Sequence, residues 1–136
     1  MTKDIALTEQ DKRTLQVAAY GAITLLSIAG AGGGSSHKIA TNGTIALGSA
    51  TGLVGHVLAG YPKGAGVTGK SVAEVADRVL PALTSAIILL KEQAPEEADN
   101  FRRTVITALQ SASHQSQPSP VVAGMIQKIT KALDAA

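Results

Sequence analysis

Aromatic side chains are nearly missing from this chain. Only Tyr20, Tyr61 and Phe101 carry rings, 2% of its 136 residues. A core without large rings must be filled by Ala, Leu, Ile and Val, and such residues suit helices that approach one another closely. Hydrophobic residues still make up 45% of the sequence, a globular share, so a folded core is expected. The length suits one helical domain over residues 1–136, with no room for a second independent core. Cysteine is absent, which excludes disulfides, thiolate chemistry and Cys-based zinc sites.

Two long stretches, Thr14 to His37 and Ile39 to Pro62, contain no Asp, Glu, Lys or Arg. Each is long enough to span a bilayer. The second is interrupted by Asn42, Thr44, Ser49, Thr51 and His56, which argues against lipid exposure. The first includes Val17–Ala31, which ends in an Ala-x-Ala step like a signal peptide. The segment ahead of it sets Asp4, Glu9 and Asp11 against Lys3, Lys12 and Arg13, so the positive lead of an export signal is missing. The expectation is a cytoplasmic protein, with a membrane-associated one as an alternative.

Periodicity predicts an all-α bundle of about five helices. The first runs from Thr8, a plausible N-cap, to about Ala29, with Glu9 and Asp11 in its first turn and Glu9 spaced to support Arg13. Leu15, Ala19, Ala22, Ile23, Leu26 and Ala29 share one stripe. Glycines after Ala29 break it. The second helix is expected within Ser36–Gly60, on a seam of Ile39, Gly43, Ala46, Ala50, Leu53 and Val57. Gly43, Gly48, Gly52 and Gly55 would cost an exposed helix roughly 3–4 kcal/mol, so close packing must compensate. Gly48 and Gly52 form a small-x-x-x-small pair suited to a tight crossing. Two short strands, Thr44–Leu47 and Leu53–Leu58, are the competing reading.

The third helix starts at Ser71, where Ser71 and Glu74 form a capping box. Val72, Val75, Ala76, Val79, Leu83, Ala86, Ile87 and Leu90 follow helical spacing, and Leu80, Ala82, Ile88 and Leu89 widen the apolar face. This helix is expected to be central, and kinked at Pro81, which cannot donate to the Asp77 carbonyl. Pro95 opens the fourth helix, with Glu96, Glu97 and Asp99 stabilising its positive end and Phe101, Val105, Ala108, Leu109 and Ala112 facing inward. Ser119 and Pro120 open the fifth, which buries Val122, Met125, Ile126, Ile129 and Leu133.

One segment carries a chemical motif. Residues 64–71 match G-x-x-x-x-G-K-[ST] at every fixed position, and this segment resembles the phosphate-binding loop of the P-loop NTPases. The resemblance covers eight of 136 residues. It implies phosphate binding by the backbone around Gly64, Gly66 and Gly69, with Lys70 on the outer oxygens and Ser71 on magnesium. The same fold would require a buried strand before the loop and a carboxylate after an apolar strand elsewhere. The best apolar run, residues 87–90, is followed by Lys91 and continues a helical pattern. The alternative reading is a connector in which Ser71 caps a helix and Lys70 is solvated.

Other candidates are weaker. His37, His56 and His114 lack a second ligand at helical spacing, so no metal site is expected, and His56 reads as a structural histidine within an apolar helix. No G-x-S-x-G elbow occurs. The net charge is +2, and the basic pairs Lys12–Arg13 and Arg102–Arg103 stand without stacking aromatics, so nucleic acid is not an expected partner. No catalytic residues and no cofactor are assigned. The expectation is a non-catalytic helical interaction or regulatory protein that forms a homo-oligomer, most simply a symmetric dimer, or binds a protein partner. Nucleotide or phosphate binding through Gly64–Ser71 is the alternative.

Overall fold

The computed structural model describes residues 7–29, 43, 45–58, 72–113 and 120–135. All regular structure among them is helical. The elements are α1 (Glu9–Ala29), α2 (helical at residue 43 and over residues 45–48), α3 (Gly52–Leu58), α4 (Val72–Gln93), α5 (Pro95–Ser113) and α6 (Pro120–Asp134). Six helices stand among the described residues against the five expected, because the second expected helix is interrupted at residues 49–51. Its residues 36–42, 44 and 59–60 lie outside the described residues.

The interruption has a local cause. The amides of Ser49 and Ala50 bond back three residues, to Ala46 and Leu47, which closes α2 as a tight turn. Gly52 then takes φ +75°, a left-handed conformation that L side chains rarely adopt. The expected tight crossing at Gly48 and Gly52 does not form. Gly48 is exposed with no atom near where its side chain would stand. Gly43 does make a close approach, since a Cβ there would lie 2.6 Å from the Ile23 side chain of α1.

The first turn of α1 follows the sequence. The Asp11 amide donates to Thr8 Oγ1 at 3.0 Å, and the Thr8 amide donates to Asp11 Oδ2 at 3.1 Å. Glu9 pairs with Lys12 at 3.7 Å, where Arg13 was the expected partner. Further along, α1 is enclosed. Residues 18–23 and 25–27 are all buried, and α1 packs against α3, α4, α5 and α6. A helix wrapped on every side needs no polar stripe, which explains the uncharged run after Arg13. No helix of the described residues is long and apolar enough to cross a membrane.

The expected centrality of α4 is shared with α1. The α1–α4 contact is the most extensive in the fold, and α4 also meets α5 and α6. Val75, Val79, Leu83, Ala86, Ile87 and Leu90 are buried, yet α4 keeps one face in solvent. One contiguous core includes these residues, Leu15, Leu25 and Leu26 of α1, Phe101 and Leu109 of α5, and Ile129 and Leu133 of α6.

Helix α4 passes through Pro81 without a break. Pro81 and Asp77 are exposed, so water can reach the carbonyl that proline leaves unpaired. Proline inside a helix costs about 3 kcal/mol relative to alanine, and its restriction of the unfolded chain returns up to about 1 kcal/mol. Pro81→Ala is therefore expected to stabilise the protein by about 1–2 kcal/mol, read as a higher urea midpoint.

Candidate functional site

The loop of sequence interest, with Gly64, Gly66, Gly69, Lys70 and Ser71, lies outside the described residues, as do His37 and His114. Residues 59–63, which lead into it, also lie outside the described residues. The nearest described element before it is the helix α3, which ends at Leu58, and after it α4 starts at Val72.

Side chains from two other helices hold α3 at both ends. At its start, the Val54 amide donates to Glu97 Oε1 at 3.0 Å. Asn100, one turn on from Glu97, donates from Nδ2 to the Thr51 carbonyl at 2.9 Å and to Glu97 Oε1 at 3.3 Å. At its end, Gln16 Nε2 donates to the Val57 carbonyl at 3.1 Å, and the Tyr20 hydroxyl donates to the Leu58 carbonyl at 2.5 Å. The Val54 amide and the Val57 and Leu58 carbonyls are orphan groups of the helix's termini, supplied with partners from α5 and α1, and the Thr51 carbonyl gains a second donor beside the Gly55 amide. Sequence placed Glu97 in a first turn for dipole stabilisation; the structure turns it toward α3. His56 is exposed on α3, not a core residue.

An open concavity lies between α4, α5 and α6, with a volume of about 500 Å³. Ile87, Ala98 and Leu133 form its apolar floor, and Lys91, Asp99, Arg102 and Asp134 its charged rim. The fold brings these together through two junctions. Ala94 alone separates α4 from α5, with its amide bonded to the Leu90 carbonyl at 2.6 Å and its carbonyl accepting from the Glu97 amide at 2.8 Å. Thr84 Oγ1 donates to the Ala132 carbonyl at 2.7 Å and ties the end of α6 to α4.

Arg102 grips Asp134 with two bonds, from Nε to Oδ1 at 2.6 Å and from Nη2 to Oδ2 at 3.3 Å. An aspartate in the last turn of α6 opposes the helix dipole, and the guanidinium offsets that. The hydrogen bond from Arg102 holds the Asp134 carboxyl below its ordinary value. The Asp11 carboxyl is also lowered, first by the Thr8 backbone amide and then by Gln93, whose Nε2 donates to Asp11 Oδ2 at 3.1 Å and links α4 to the start of α1.

A pH dependence follows. Both carboxyls have folded values depressed below the ordinary 3.8, so their stabilisation is present above 3.8 and is lost as pH falls through the lower folded values. Carboxyl-carbon NMR titration is expected to show both midpoints below 3.8. Replacing Arg102 by Leu is expected to return Asp134 toward its ordinary value and leave Asp11 unmoved.

No group of three potential metal-ligating side chains occurs among the described residues. Comparison with family models, with curated proteins and with solved structures finds no match to this chain.

Proposed function

We propose that this chain is a cytoplasmic, non-catalytic helical interaction protein, a single domain that associates with a second copy of itself. The observation that carries the reading is the α4–α5–α6 groove. An apolar floor inside a charged rim is the anatomy of a protein-docking surface. Ile88 of α4, 45% exposed, stands one turn before the groove's Lys91 and adds an apolar side chain outside the charged rim. We also propose that α4 bends at Pro81, which would shape the face that Ile88 shares. Sedimentation equilibrium from micromolar to millimolar protein tests the reading: a mass that rises toward the dimer is expected, and a constant monomer mass overturns it.

Phosphate binding through Gly64–Ser71 is the second reading, supported by the start of α4 directly after Ser71. The helix at Gly52–Leu58 favours the interaction reading, because a phosphate loop is fed by a buried strand. Calorimetry with ATP and magnesium separates the two; heat lost in Lys70→Ala would support nucleotide binding.

A further inference from the structure

We infer that the solvent face of α4 is a self-complementary surface that pairs two copies of this chain antiparallel about a two-fold axis at Ser85. This rests on the self-association reading and names its surface. Glu74, Arg78, Pro81, Ser85, Ile88 and Glu92 are all exposed. Their spacings alternate four and three, so they form one straight seam opposite the buried one.

The seam is ordered by charge. Its centre, Pro81, Ser85 and Ile88, is uncharged. Arg78 lies seven residues before Ser85 and Glu92 seven after it, each about 10 Å along the helix. Antiparallel pairing about Ser85 therefore sets Arg78 opposite Glu92 of the second copy, and symmetry makes that pair twice. Pro81 then meets Ile88 of the second copy. A register with the axis between Pro81 and Ser85 sets Glu74 against Glu92 of the second copy, and like charges disfavour it. The serine is small enough for the helices to approach at about 8–10 Å between axes.

The surface is modest. One helix face over residues 74–92 covers roughly 300 Å², against about 800 Å² per partner in a standard interface. The pairing is weak unless flanking groove residues join it, so the test must trap it. The chain has no cysteine, and Ser85→Cys introduces a single thiol at the axis. Subtracting two helix radii of about 2.3 Å from the axial separation leaves the two Cα atoms about 3–5 Å apart, overlapping the range a disulfide bridges.

Mild oxidation is expected to give a covalent dimer with Ser85→Cys and little with Thr107→Cys, an exposed position on α5. In sedimentation equilibrium, Arg78→Glu and Glu92→Arg should each weaken association about fivefold or more, and the double variant should restore it. Circular dichroism melts verify that each variant is folded. If the parent dimerises but Ser85→Cys fails to cross-link and the charge exchanges change nothing, this surface is wrong and the self-association reading survives. If the parent stays monomeric at every concentration, both fail.

Discussion

Replacing Gly55 by alanine is expected to lower stability by about 3 kcal/mol or more, a fall in melting temperature of roughly 10 °C for a chain of this size. Gly55 is buried in α3 and its φ is not positive, so a backbone conformation reserved for glycine is not the reason. The reason is space. A Cβ at this position would stand 2.5 Å from the Ala50 carbonyl carbon and closer still to its oxygen. Backbone cannot swing aside as the tip of a leucine can. The same turn uses the Thr51 carbonyl to receive the Gly55 amide at 3.1 Å, so moving Ala50 strains a bond that starts α3. Gly48→Ala is the control. Nothing lies within 4 Å of a Cβ there, and the change should be neutral or stabilising by up to about 1 kcal/mol. Urea unfolding of both variants checks the contrast. Equal effects would show that composition, and not the close approach at Ala50, governs this segment.

These two glycines show how far the sequence could be read. Thr8 and Asp11 were legible because a cap is local: donor and acceptor are three residues apart. The buried stripes of α4, α5 and α6 were legible because apolar spacing alone orients a long amphipathic helix. The Gly-rich segment was legible only at Gly43, which stands on the expected small-residue seam. Gly43 packs against another helix, Gly48 faces open space, Gly52 reverses the backbone, and Gly55 closes on its own turn. Spacing singles out Gly48 and Gly52 as a crossing pair, and nothing in it separates an open position from a turn that only glycine fits.

The same limit applied to the partners of α3. Glu97 looks like an ordinary first-turn acid, and its bond to Val54 spans 43 positions. No local spacing announces such a bond. The enclosure of α1 was visible in part, as an uncharged run; whether lipid or protein covers such a run depends on the helices around it, which one segment does not encode. Arg102 and Asp134, 32 positions apart, belong to the groove for the same reason. Neither carries a local motif, and only the closeness of α5 and α6 brings them together.

The second large effect concerns the end of α3. Tyr20 is 7% exposed and Leu58 is fully buried, so the carbonyl that accepts the tyrosine hydroxyl has little access to water. Tyr20→Phe keeps the ring and removes the donor, which is expected to cost about 2 kcal/mol. Gln16 stands one turn earlier on α1 and serves the neighbouring Val57 carbonyl from a half-buried position, so Gln16→Ala should cost less, about 1 kcal/mol. A helix of seven residues has too few internal bonds to persist alone, and its attachment to α1 is part of what keeps it folded. The double variant should then lose less than the sum of the singles if releasing Leu58 already frays Val57. A double-mutant cycle by urea unfolding measures that coupling, with about 0.5–1 kcal/mol expected. Hydrogen exchange localises it: amides of residues 56–58 should lose protection in Tyr20→Phe while those of α6 keep theirs. Uniform loss across both helices would mean that Tyr20 supports the core as a whole and not the end of α3.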